Sequence, residues 1–260
     1  MTESENRNLD RLLSRRSFVT TSTAAAAIGL LSACNSKADE TKPAEIPAAP
    51  QEPVIVALTK EARDQMTPDS IIAKLKDGNT RFREGRKIPR DFLAEQRATA
   101  SGQYPAAVLL SCVDSRAPAE ILFNLGMGDV FNARVAGNIE NPDILGSMEF
   151  TTQLAGAKLV LVMGHSACGA VAGAIANAKL GNLTQLLAKI QPAIKATKFD
   201  GDRTANNPEF VDAVARTNID LTIANIRKNS KVIADLEKAG TIKIAGAFYD
   251  LKTGAVEFSA

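Results

Sequence analysis

The chain has one histidine, no tryptophan, two tyrosines and three cysteines in 260 residues. With a single imidazole, no second histidine chemistry can be hidden elsewhere: His165 does all that histidine does here. Three cysteines, one of them near the amino terminus, leave no disulfide framework. Aromatic residues make up 5% and the formal charge is +2 with no basic cluster, which argues against a nucleic-acid partner. The apolar run from Val19 to Leu31 falls short of the roughly 20 residues that a spanning helix needs.

That short run has a different reading. Ser14-Arg15-Arg16-Ser17-Phe18-Val19 is a twin-arginine pattern, and the alanine-rich run behind it suits the apolar region of a bacterial export signal. It ends in Leu31-Ser32-Ala33-Cys34, which resembles a lipobox with Cys34 as the acylated first residue of the mature chain. From Asn35 to Pro53 the sequence is rich in Pro, Ala, Lys and Glu, the composition of an extended tether. Residues 1–33 are thus expected to be an export signal, 34–54 a disordered tether and 55–260 the folded domain.

With Cys34 set aside, the other two cysteines fall beside the chain's chemically richest segments. Ser111-Cys112-Val113-Asp114-Ser115-Arg116 supplies a thiol and a carboxylate two residues apart, on one side of an extended chain. Gly164-His165-Ser166-Ala167-Cys168-Gly169 supplies an imidazole and a thiol three residues apart, across a turn entering a helix. Two thiols, one imidazole and one carboxylate suit a borderline-soft divalent ion, and the expectation is zinc.

Three rivals use the same residues. Gly164-His165-Ser166-Ala167-Cys168 approaches the G-x-S-x-G elbow of serine hydrolases, but a serine triad needs a separate histidine. A Cys–His nucleophile leaves the second thiol, Asp114 and Arg116 without roles. A closed structural zinc knot would use four protein ligands and leave no corner for water.

The rest of the sequence alternates strands and helices. Thr67-Pro68-Asp69 opens a helix with an apolar stripe at Ile71, Ile72, Leu75 and Phe82. Continuous apolar runs predict strands at 106–111, 129–135 and 158–163, and at 241–249 and 256–259 near the end. Helices are expected over 142–156, after Gly169, over 183–197, over 210–226 and over 231–238. The expected class is α/β: a mostly parallel central sheet flanked by helices, with an N-terminal helical arm. Both thiol segments begin where apolar strands stop, and open parallel sheets bind ligands at the carboxyl ends of their strands.

The two segments resemble the paired zinc signatures of β-class carbonic anhydrases, and the likeness runs from about Thr67 to the end of the chain. Gly78-Asn79, Arg81-Phe82, Arg134-Val135-Ala136-Gly137-Asn138 and Gly246-Ala247-Phe248-Tyr249-Asp250-Leu251 add to it. The resemblance implies reversible hydration of carbon dioxide to bicarbonate by zinc-bound hydroxide, with one ion per subunit held by Cys112, His165 and Cys168. Asp114 or water takes the fourth position, and Asp114 with Arg116 forms a gating pair. It further implies that Gln103 hydrogen-bonds a substrate oxygen and that Phe131, Ala136 and Phe150 form an apolar wall. Ala136 stands where valine is frequent and Phe150 where tyrosine is. The expected partners are carbon dioxide and bicarbonate, a second copy in a homodimer or higher even oligomer, and a membrane only through the lipid on Cys34. Some members hold a non-productive bicarbonate with a tryptophan, so that pocket is expected to be missing or altered. Two alternatives stay open: a same-fold hydrolase of carbonyl sulfide or carbon disulfide, and a non-catalytic zinc-binding module.

Overall fold

The computed structural model describes residues 57–259. The export signal expected over 1–33, the acylation expected at Cys34 and the tether expected over 34–54 lie outside the described residues. Among the described residues, no helix is long and apolar enough to cross a membrane.

Five strands form one sheet in the order β2-β1-β3-β4-β5: β1 Ala107–Ser111, β2 Val130–Arg134, β3 Leu159–His165, β4 Lys243–Tyr249 and β5 Val256–Ser259. The first four run parallel, and β5 returns antiparallel on β4. Strands β1 and β3 are buried along their whole length, which is why their sequences read as unbroken apolar runs. Alternate side chains serve opposite faces. Val108, Leu110, Val160 and Val162 join one apolar cluster, while Leu109, Leu159, Leu161 and Met163 join the other with Ile71 and Leu75.

The N-terminal arm comprises α1 Lys60–Asp64, α2 Pro68–Arg83 and α3 Phe92–Thr99. Thr67 caps α2 in a reciprocal box with Ser70, and Pro68 occupies the first turn, where its missing N–H costs nothing. Gly78 of α2 runs so close to the Phe123 carbonyl that a Cβ there would collide with it. The short helix α4 Ala119–Leu122 follows β1.

Helix α5 Pro142–Glu149 continues into one π-helical turn over Phe150–Leu154, so the single helix expected over 142–156 is two conformations. The hydroxyls of Thr151 and Thr152 both donate to the Met148 carbonyl, competing with the backbone ladder where it widens. After α6 Gly169–Ile175, the helix expected over 183–197 is also divided, into α7 Gly181–Ala188 and α8 Gln191–Ala196. Pro192 explains the break: it sits in the first turn of α8 and has no N–H to continue α7.

Helix α9 Pro208–Asn229 is the long one, capped by Asn207 and buried along Phe210, Val211, Val214, Ala215, Asn218, Ile219, Thr222, Ile223 and Ile226. That spacing is one helical face, and it lies across β3 and β4. Ser230 ends α9 and caps α10 Lys231–Lys238, its hydroxyl accepting from Ile233 N–H.

Candidate metal centre

Strands β1 and β3 are parallel neighbours, with Ser111 beside Met163. Cys112 directly follows β1 and His165 closes β3, so both are delivered to the same edge of the sheet, and Cys168 stands immediately before α6. All three are buried, and their ligand atoms lie within 4.8 Å of one another. A tetrahedral zinc would set such atoms about 3.5–3.8 Å apart, from Zn–S near 2.3 Å and Zn–N near 2.0–2.1 Å.

The imidazole is already oriented. His165 Nδ1 lies 2.9 Å from the Ser166 carbonyl, which accepts its proton and leaves Nε2 as the free lone pair. Nε2 is buried and has no hydrogen-bond partner, an orphan of the kind that a metal ion satisfies. The turn behind it is pinned twice, by Ser166 N–H donating to the Tyr249 carbonyl and by Leu251 N–H donating to the Ser166 hydroxyl.

The thiols are coupled. Hydrogen bonding from Cys168 holds the Cys112 thiol down to about 4, outweighing burial, with help from the Gly137 N–H 3.4 Å from its sulfur. Cys168 is pushed in the opposite direction, because it supplies that proton and is buried. The hydrogen bond between them makes Cys112 the readier of the two to lose its proton, and zinc binding requires both thiols to be deprotonated.

Asp114 lies at the mouth. Its Oδ1 accepts from the Arg116 backbone N–H at 2.9 Å and from Nε at 3.0 Å, and its Oδ2 accepts from the second guanidinium nitrogen at 2.8 Å. This two-pronged grip holds the Asp114 carboxyl at about 2. Oδ2 also lies 3.9 Å from His165 Nε2, so the carboxylate faces the ligands while remaining with its arginine.

The other expected site residues are dispersed. Ala136 begins the turn whose Gly137 N–H reaches Cys112, so it belongs to the metal end. Gln103 is exposed and precedes β1, at the opposite end of the strand from Cys112. Phe131 pairs with Val108 low on β2, and Phe150, 55% exposed, is the first residue of the π turn. Those two share a cavity of about 640 Å3 with Val108, Pro142 and Ser147, and no metal ligand lines it. Within one chain, Phe131 and Phe150 stand apart from the metal ligands, while Ala136 lies beside them.

Sequence reasoning missed three contributors. Arg134 Nε donates to the Cys112 carbonyl at 2.9 Å and its other arm to the Asp114 carbonyl at 2.6 Å, tying down the loop after β1. Asp212 of α9 reaches the turn between His165 and Cys168, and Asn218 reaches the Gly137 turn that donates to Cys112. Arg134 stood inside a motif quoted for the resemblance but had no role there, and nothing local marks Asp212 or Asn218.

Fold and site together define a zinc protein of the α/β class, with the ion at the carboxyl ends of adjacent parallel strands. Residues 107–256 match the family model described as Carbonic anhydrase. "Carbonic anhydrase 2" of Mycobacterium tuberculosis is 33% identical over 186 residues, covering 69% of this chain and 87% of its own. The "Carbonic anhydrase" of Mycolicibacterium smegmatis is 34% identical over 189 residues, covering 70% and 89%. Among solved structures, a β-carbonic anhydrase of Aspergillus fumigatus superposes with a TM-score of 0.56 at 24% identity, over 74% of this chain and 89% of that one. A tetrameric β-carbonic anhydrase of Sordaria macrospora gives 0.55 at 24% identity, over 63% and 87%. The chain belongs to the carbonic anhydrase family, and its fold is that of the β class.

Proposed function

We propose that this chain interconverts carbon dioxide and bicarbonate at a zinc ion held by Cys112, His165 and Cys168, with Asp114 and Arg116 shaping the open corner. The observation that carries the reading is the convergence of three buried ligand atoms within 4.8 Å, with the Asp114 carboxylate facing them. When bound, the ion supplies the Lewis acidity that makes water a nucleophile near neutral pH. Arg116 holds Asp114 away from the ligand set, keeping a corner free for water. Asp114 Oδ2 offers an acceptor that orients the attacking water. With its carboxyl at about 2, Asp114 stays an acceptor and cannot keep the proton at neutral pH. His165, the sole imidazole, is committed through both nitrogens, so the proton leaves through solvent and buffer.

Phe131, Phe150 and the Gln103 amide come from a second copy in this reading. Its support is that Gln103, Phe131 and Phe150 stand apart from the chain's own ligands and that β2 is an edge strand. A tetrameric relative in Sordaria macrospora supports an assembly of more than one copy. Export and acylation at Cys34 complete the proposal on the strength of the sequence alone. Loss of labelled palmitate on Cys34→Ala would support that anchor, and its retention would remove it.

The deciding experiment is stopped-flow hydration of carbon dioxide by the zinc-loaded full chain. Activity that disappears with chelation and returns with zinc is expected. A zinc-loaded protein inert towards carbon dioxide would leave the non-catalytic reading standing.

A further inference from the structure

The turn that presents Cys168 and the turn that donates to Cys112 both pass through left-handed backbone, and both are gripped from the same helix. Ala167, between His165 and Cys168, has φ 52, a left-handed conformation that costs a side-chain-bearing residue. Its N–H donates to Asp212 Oδ1 of α9 at 2.8 Å. Across the site, Gly137 has φ 72, and its N–H is the donor 3.4 Å from Cys112 Sγ. The carbonyl of that same Gly137 accepts from Asn218 Nδ2 at 2.8 Å, and Asn218 is 3% exposed. Neither Asp212 nor Asn218 reaches a ligand atom itself.

We infer that Asp212 and Asn218 are positioning residues for zinc, fixing from α9 the two left-handed turns that aim Cys168 and hold a donor on Cys112. The inference rests on the zinc reading above and adds the residues that set the affinity. Asp212 compensates the strain at Ala167: without the acceptor, the turn relaxes and Cys168 leaves its place before α6. Asn218 acts one bond further out. It holds the Gly137 peptide plane so that the N–H points at the Cys112 sulfur rather than at solvent. Strain held in place by surrounding structure is where small supports have large effects on a site.

The prediction separates positioning from general stability through a rescue. Asp212→Ala is expected to weaken zinc binding by about 10- to 100-fold, measured by competition with a chromophoric chelator on the full chain. Asp212→Asn keeps an oxygen acceptor and should stay close to the parent. Ala167→Gly removes the cost of the left-handed turn, so adding it to Asp212→Ala should restore much of the lost affinity. Asn218→Ala should weaken zinc as well, without rescue by Ala167→Gly, because its target is the other turn. In the cobalt-substituted protein, Asp212→Ala should reduce the thiolate-to-cobalt charge-transfer band, which a merely destabilised but intact site would not do. If the parent takes up no zinc, the zinc reading itself fails. If the parent binds zinc and Asp212→Ala binds within twofold of it, or if Ala167→Gly restores nothing, the positioning role is overturned. Should Asp212→Ala fail to fold, Ala167→Gly alone decides: binding no weaker than the parent upholds the strain argument, and weaker binding ends it.

Discussion

The two ends of the sheet present opposite designs. At the carboxyl ends of β1 and β3 the site is gripped and finished within one chain: three buried ligands, the imidazole among them already oriented, and a carboxylate fixed at the mouth by its arginine. Along β2 and the π turn, Phe131 and Phe150 stand apart from the ligands, Phe150 more than half exposed, and Gln103 lies beyond the other end of β1. The contrast teaches that the metal and the substrate wall need not be built by the same copy of the chain. A metal site tolerates no slack and is assembled from adjacent strand ends. An apolar wall needs only surface, which a neighbour can provide.

The sharpest way to test this contrast is to destroy one end and watch the other. His165→Ala removes a ligand whose place nothing else can take, so zinc uptake and hydration should both fall to the level of protein-free solution. Metal analysis and stopped-flow kinetics would report it. Asp114→Ala should retain zinc but lose activity by about a hundredfold, as expected for a group that orients the reacting water. Retained activity with retained zinc would strip Asp114 of its role. Mixing two inactive chains probes the division itself. Cys112→Ser and Gln103→Ala proteins, each weak alone, should recover activity after unfolding and co-refolding, because half the mixed dimers' sites then carry intact zinc and an intact partner glutamine. No recovery would return the wall to the chain's own site.

Smaller effects refine the picture. Two thiolates cancel the formal charge of zinc, so the water it binds should be less acidic than at a tris-histidine site. Hydration should therefore rise towards alkaline pH. Asp114 does not cause that rise. Its folded carboxyl lies at about 2, below the unfolded value near 3.9, so its favourable charge is complete above the latter and is lost only as pH falls through about 2. Asp114→Asn should lower the rate while an alkaline rise persists, and loss of that rise would contradict the assignment. Gly78→Ala should change the chemistry least. It drives a Cβ into the Phe123 carbonyl and should destabilise the fold by about 1–3 kcal/mol in thermal unfolding, with normal zinc affinity in the folded fraction.

What could be read from the sequence divides along the same line as the molecule. The metal end was legible because its ligands sit in two short segments, each directly after an unbroken apolar run. The capped start of α2 at Thr67 and the end of β4 at Tyr249 were legible for similar local reasons. The split at Pro192 was written in the chain and outweighed by the apolar spacing around it. The π turn was less accessible, because its cause is a pair of threonine hydroxyls acting on one carbonyl, which periodicity does not register. Asp212 and Asn218 were invisible in principle: each meets its turn only because α9 folds back across β3 and β4. The resemblance names Gln103 and Phe131 by their positions in the chain, but a linear motif does not state which copy of the protein a side chain serves.

Two sulfur atoms close enough to share an ion are also close enough to react with each other. Cys112, whose thiol is held down by its neighbour Cys168, has a partner at hand for any oxidant that reaches the stripped protein. Chelated protein left in air should form an internal bridge and refuse zinc until reductant is added, whereas loaded protein should survive the same exposure. The ion that activates water is thus also the guard that keeps its own binding groups reduced.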